Sequence, residues 1–335
     1  MQKRNKKEYL ILFIKSILMG TANKLPGISG GLVALITGFY DEMIKTFKNI
    51  NINLLKHIFI HDFKKLENQY NFIFIVVVVL GIVVSYFTTS KVLDYFFKLS
   101  ELNVWSFFYG MIIASLAILL RENKISNYRE MLFLSIGLMI GIILSFSEPI
   151  EENQNIFFVF ICGMISICGM IIPGISGSFL LILLGNYKLL LVDSVNELIN
   201  LLYFTFGIDN SINVNFNLIK ILIVFSLGSL IGLSVLSKLL NYLITNYKKI
   251  VNQIIIGFVS GSLFIVWPWK KVIIENTKNI NKIVNSENNS NYFKYLPDIT
   301  ENSNIIALAC IIFGFIIVLY IEKYASRKKN IRPSR

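Results

Sequence analysis

Apolar residues run along this chain in stretches too long for a soluble fold. A spanning helix needs about 20 mostly apolar residues. Six runs meet or approach that length, at about 70–90, 105–120, 131–147, 218–240, 250–267 and 304–322. Two further apolar regions, 9–40 and 156–187, are each long enough for two short helices, and each is interrupted at its centre by a Pro-Gly turn. The stretch from Asp41 to Asn68 mixes apolar residues with five lysines and predicts an amphipathic segment lying on the membrane surface. The pattern predicts an all-α polytopic membrane protein.

The two interruptions are alike. One reads Pro26-Gly27-Ile28-Ser29-Gly30-Gly31, the other Pro173-Gly174-Ile175-Ser176-Gly177-Ser178, and Gly38 and Tyr40 match Gly185 and Tyr187 at the same offset of 147. Five identities in a row with two more in register read as an internal repeat. Each unit is then a re-entrant broken helical hairpin plus three transmembrane helices. The first unit covers 1–155 (hairpin 9–40) and the second 156–335 (hairpin 156–187), within one membrane domain. Three is odd, so the second unit enters from the opposite side. The prediction is an inverted repeat of the kind found in secondary transporters.

Composition agrees: 55% of the 335 residues are hydrophobic and 16% charged, against roughly 25% charged in soluble domains. Mean hydropathy is +0.64. These values exclude a soluble enzyme, a nucleic-acid binder and a disordered scaffold. The net charge of +12 follows from loop lysines and arginines. With the N-terminus inside, the inner segments carry 21 Lys and Arg and the outer ones 8, so both termini are expected in the cytoplasm. No small-residue cleavage site follows the first apolar run, so no removable signal peptide is expected. Cys162, Cys168 and Cys310 lie in apolar runs without metal spacing. His57 and His61 share a spacing of four but lack a third ligand. Neither a metal nor a cofactor is expected. Trp267-Pro268-Trp269 reads as an interfacial aromatic belt.

The candidate chemistry lies at the two breaks. Pro lacks an N–H and Gly is flexible, so the helix breaks there. Broken backbone is tolerated at membrane depth only where it is buried in protein or lines a cavity. The helix that restarts offers unpaired N–H groups and a positive dipole end, which favour phosphate. Gly27, Gly30, Gly31, Gly174 and Gly177 let a ligand approach the backbone. Ser29, Ser176 and Ser178 add hydroxyls, and Asn23 and Lys24 flank the first break. Hairpins entering from opposite faces would bring these groups together as one anion site near the midplane.

At these residues the chain resembles the domain-of-unknown-function 368 family. Asn23-Lys24-Leu25-Pro26-Gly27-Ile28-Ser29-Gly30-Gly31 with Gly38-Phe39-Tyr40-Asp41 looks like its first signature. Pro173-Gly174-Ile175-Ser176-Gly177-Ser178-Phe179 with Gly185-Asn186-Tyr187 looks like its second. The resemblance implies a plasma-membrane transporter that returns undecaprenyl phosphate or a related polyprenyl phosphate across the bilayer for cell-envelope synthesis. It implies partners limited to that lipid and the membrane. The family commonly carries an acid at Asn23, a small apolar residue at Lys24 and Thr at Leu32. An acid at position 23 would be a proton carrier, and Asn23 is not one.

Moving one negative charge inward against 100 mV costs roughly 2.3 kcal/mol, so a co-transported proton would help. Asp41 and Glu42 beside the first hairpin, and Asp193 and Glu197 beyond the second, are the candidate relays. Two alternatives remain at this stage: a small-anion channel or exchanger, and a membrane-embedded lipid phosphatase. The second lacks a histidine near the breaks.

Overall fold

The first helix, α1 (Lys6–Lys24), begins at a reciprocal cap. The Asn5 side chain accepts from the Glu8 N–H at 2.9 Å, and the Glu8 carboxylate accepts from the Asn5 N–H at 2.7 Å. The helix stops at Leu25, held extended in front of Pro26. The computed structural model describes residues 4–49, 57, 60, 63–146, 152–171, 176–209, 211, 213–273 and 291–331. After the break come α2 (Gly30–Thr37), α3 (Tyr40–Asn49) and α4 (Phe63–Tyr70). The long helices α5 (Phe72–Leu99), α6 (Glu101–Glu122) and α7 (Tyr128–Phe146) follow. Then come α8 (Ile156–Ile171), α9 (Gly177–Leu183), a π-helical turn (Leu189–Asp193) and α10 (Ser194–Thr205). The chain ends with α11 (Phe216–Ser262), the strands β1 (Lys270–Ile273) and β2 (Asn291–Lys294), and α12 (Asn302–Ile331).

Among the described residues, five helices are long and apolar enough to cross a bilayer: Phe72–Leu99, Glu101–Glu122, Tyr128–Ser145, Phe216–Leu236 and Asn302–Arg327. Their outer faces carry exposed Val79, Ile143 and Phe313. This is an all-α, multi-pass membrane protein with, among the described residues, one antiparallel strand pair. The polar stretch 238–250 is helical rather than a loop. Two helices, 216–246 and 248–262, meet at Tyr247, whose φ of −131° and ψ of 30° are not helical. The helix expected over 250–267 therefore stops at Ser262.

Helices α2 and α9 end alike. Gly38 and Gly185 both take a positive φ, 88° and 73°, a conformation glycine adopts without strain. Gly38 N–H donates to Leu35 and Phe39 N–H to Ala34. Gly185 N–H donates to Ile182 and Asn186 N–H to Leu181, each position 147 further along.

The helix contacts recur in the same way. A Cβ at Gly81 of α5 would lie 2.9 Å from the Phe13 carbonyl of α1, and one at Gly228 of α11 2.2 Å from the Phe160 carbonyl of α8. Both partners are again shifted by 147. A Cβ at Gly110 of α6 would lie 2.0 Å from the Ile311 carbonyl of α12, and one at Gly257 of α11 2.0 Å from the Leu134 carbonyl of α7. Gly314 meets Phe107 and Gly137 meets Ile254 in the same exchange. Past the strand pair the shift grows from 147 to 177. Small residues let membrane helices approach this closely.

The core joins the halves. Phe97, Trp105, Phe108 and Tyr187 make edge-on ring contacts, with Phe108 and Tyr187 at 5.3 Å. Trp269 departs from the expected interfacial belt: it is fully buried, and its indole N–H donates to Asn304 Oδ1 at 2.9 Å. A buried indole needs such an acceptor.

Candidate functional site

The first break meets the start of α9. The Gly27 N–H donates to Ser176 Oγ at 3.2 Å across 149 positions of chain. Gly27 has a φ of 82°, and a Cβ there would sit 2.6 Å from the Met111 carbonyl. Met111 is halfway along the 22-residue α6, so the first break packs against the middle of a membrane-length helix. Pro173 and Gly174 lie outside the described residues.

Each polar group at the junction has a definite place. Asn23 Oδ1 accepts from the Gly30 N–H at 3.1 Å, capping α2 from the preceding helix. Ser29, the N-cap residue itself, makes no side-chain cap bond. The first-turn amides of Gly31 and Leu32 have no intrahelical acceptor, as at any helix start. Ser176 Oγ also accepts from Phe179 N–H at 3.3 Å and from Ser178 Oγ at 3.1 Å. With its lone pairs engaged, its own proton is the part left to donate. Gly177 and Ser178 are buried, and Gly177 packs on Gly169 of α8, whose Cβ would approach it to 2.8 Å.

Beside this junction opens a cavity of about 540 Å³. Gly27, Ile28, Ser29 and Ser176 line it at the junction, and Glu122, Asn123, Lys248 and Glu322 line it as well. Leu32, Leu35, Val318 and Ile321 supply an apolar flank between α2 and α12. Asn23, Gly30, Gly31, Gly177 and Ser178 support this wall without lining it.

Lys24 lies elsewhere. Its ammonium donates to the Tyr86 and Leu191 carbonyls, each at 2.7 Å, and to Ser90 Oγ, and stands over the Tyr86 ring at 4.9 Å. It is fully buried and ties α1 to α5 and to the π-helical turn. It is not among the residues that line the cavity. The Lys24 carbonyl accepts from Tyr187 OH at 2.9 Å, a second tie between the halves.

The four acids taken as relays are also away from the cavity wall. Asp41 and Glu42 open α3. The Glu42 carboxylate accepts from Arg4, with one arm at 2.6 Å, and from Asn71 Nδ2 at 2.9 Å. The Arg4 guanidinium holds the Glu42 pKa below the usual carboxylate range. Asp193 ends the π-helical turn, where burial raises its pKa against the opposing charge of Lys188. Glu197 accepts from the Asn215 N–H at 2.5 Å and from Asn200 at 3.0 Å, fastening α10 to the start of α11.

Of the charged groups that line the cavity, Glu122 and Lys248 belong to segments that read from sequence as cytoplasmic loop charge, and Glu322 is the last residue of the expected span 304–322. The pairing of α6 with α12, which the periodicity of neither helix encodes, turns them toward one space. Among the described residues no cluster of three His, Cys, Asp or Glu forms a metal site. His61 lies outside the described residues, and His57 packs near the Tyr70 ring at 6.2 Å.

Comparison with known proteins points one way. Residues 19–284 match the family model described as undecaprenyl phosphate translocase-like. A polyprenyl-phosphate transporter of Vibrio cholerae is 30% identical over 321 residues, 95% of this chain and 98% of that protein. A polyprenyl-phosphate transporter of Staphylococcus aureus is 30% identical over 273 residues, 77% of this chain and 86% of that one. No solved structure matches.

Proposed function

The chain belongs to the undecaprenyl phosphate translocase-like family, and on that footing we propose that it is a lipid translocase, not an enzyme, which flips undecaprenyl phosphate or a related polyprenyl phosphate across the plasma membrane. The observation that carries this reading is the cavity lined by Gly27, Ile28 and Ser29 of the first break together with Ser176 at the start of α9. The phosphate sits beside the junction. Ser29 and Ser176 donate hydroxyls to it, and the first-turn amide of Leu32 faces it. The tail follows the apolar flank of Leu32, Leu35, Val318 and Ile321. Lys248 draws the headgroup at the mouth, and the packing of Gly27 on Met111 supports placing the site near mid-depth.

The two units, 1–155 and 156–335, act as an inverted pair. What supports this is the contact pattern, which is unchanged when the halves are exchanged: α1 on α5 becomes α8 on α11, and α6 on α12 becomes the second half of α11 on α7. The cavity is lined by residues from three segments assigned to the cytoplasm by their charge: 121–130, 238–250 and 323–335. The conformation is thus an inward-open one. Exchange of the halves would generate its outward-open partner. Lys24 serves as the tie that keeps the first break in place.

Liposomes containing the purified chain test the reading. Labelled polyprenyl phosphate should cross between leaflets, and Ser29→Leu with Ser176→Leu should slow it severalfold. A full rate in that double variant would overturn the site. Chloride flux without lipid flipping would favour a small-anion exchanger, and phosphate release would favour a lipid phosphatase.

A further inference from the structure

At the far end of the helix 248–262, roughly 22 Å from Lys248, the strand pair places Lys270 directly opposite Lys294. Like charges facing each other across strands are destabilising. Among the described residues neither ammonium has a carboxylate within ion-pair distance. Lys270 Nζ donates to the Ile265 carbonyl at 2.6 Å. Lys294 Nζ stands over the Phe264 ring at 4.0 Å and donates to the Ser145 carbonyl at 3.4 Å. Glu101, whose charge reaches Lys270, accepts from the Trp105 indole at 3.1 Å.

Lys294, the cross-strand neighbour of Lys270, lines a second cavity of about 480 Å³, walled also by Tyr109, Leu138, Ile142, Phe264, Trp267 and Leu296. The Trp267 indole is taken up by the Tyr295 carbonyl at 3.0 Å, so the walls offer mainly ring and alkyl surface. A cationic rim over an apolar pocket is complementary to an amphiphile with an anionic head. Two lysines match a phosphate monoester, which carries about −1.5 to −2 charge at neutral pH, better than the single charge of a phosphodiester lipid.

A second observation ties the place to transport. The shift of 147 that relates Gly110 to Gly257 carries Asn123 onto Lys270, and the shift of 177 carries Glu322 onto Ser145. Asn123 and Glu322 line the open cavity. Their counterparts lie where the outward-open cavity would form, and there Ser145, Ser262 and Trp269 are now buried.

We propose that this is a second lipid site, in which an isoprenyl phosphate monoester from the opposite leaflet docks with its phosphate between Lys270 and Lys294 and its first isoprene units in the aromatic pocket. The site rests on the translocase reading. It holds the lipid at the lip of the closed gate until that gate opens.

The full chain in nanodiscs of zwitterionic lipid, exposed to farnesyl phosphate with a photoreactive tail, tests it. Labelling should map to peptides containing Phe264 or Leu296. Lys270→Gln with Lys294→Gln should lower it roughly tenfold or more, whereas Lys270→Arg with Lys294→Arg retains it. The Ser29→Leu, Ser176→Leu protein should keep this label while flipping slowly. Lysine-independent labelling in a protein that still flips would overturn the docking site alone. Lysine-dependent labelling in a wild-type chain that never flips would leave the docking site standing and overturn the translocase reading. Equal displacement by phosphatidylglycerol would overturn the isoprenyl phosphate as its occupant.

Discussion

The Lys24 ammonium donates to the Leu191 carbonyl at 2.7 Å, joining residues 167 positions apart. A lysine in an apolar run invites a ligand-binding role, yet here its charge is spent on two carbonyls and a hydroxyl. Lys24→Met should lower thermal stability by about 1–3 kcal/mol, the cost of a lost buried charge-assisted bond. Ser90 Oγ, within 2.9 Å of both the Tyr86 and Leu191 carbonyls, remains to support the tie. Flipping should persist wherever the protein is folded. Lost flipping with an unchanged melting temperature would return Lys24 to the headgroup site.

Gly27 carries two constraints at once, a φ of 82° and a Met111 carbonyl 2.6 Å from any added Cβ. Gly27→Ala should therefore cost about 1–3 kcal/mol through strain and overpacking. Gly31 has room, its nearest neighbours to an added Cβ being at 3.5 and 3.7 Å, so Gly31→Ala should melt near wild type. Melting curves of the two variants in detergent separate them.

Asn23 caps α2 through its side-chain oxygen. Asn23→Asp keeps that acceptor and adds a charge that favours the helix start by about 0.3–1 kcal/mol. The same charge repels a phosphate. Flipping by Asn23→Asp should fall behind wild type increasingly as pH rises, because the carboxylate is neutral only at low pH. Parallel pH profiles for the two proteins would show that position 23 does not sense the headgroup.

Arg4 and Glu42 clamp the start of α1 to α3, with side chains 12% and 24% exposed. The Glu42 pKa is lowered from 4.5 in the folded protein. The clamp thus stabilises above that pH, and its contribution is lost as pH falls through the lower folded value. Proteolysis near residues 4–12 should accelerate in wild type as pH falls through the lowered Glu42 value, while Glu42→Gln should cleave faster at neutral pH and show less pH dependence.

Lys248 is the cation on the wall of the open cavity. Lys248→Glu should slow flipping of the anionic lipid by roughly fivefold or more, and added salt should narrow the gap. A salt-independent defect would point to packing instead.

Local sequence was enough for everything set by local chemistry. Apolar run length marked five spanning helices, though the sixth run, 250–267, holds a helix that stops at Ser262; Pro26 and the glycines marked the first break, and Gly38 and Gly185 marked matching ends of α2 and α9. Those features act within a few residues, through backbone sterics and the cost of burying an N–H. Which side chains share a cavity was another matter. Glu122 and Lys248 look like ordinary loop charges, Glu322 like the end of a span, and Lys24 like an anion ligand, until helix packing assigns each a neighbour. The close approach of α6 to α12 and of the 248–262 helix to α7 placed the first three on one cavity, and the packing of α1 on α5 and the π-helical turn gave Lys24 its carbonyls. Such contacts link residues more than a hundred positions apart, and no periodicity within one helix can encode which way a partner helix will turn it.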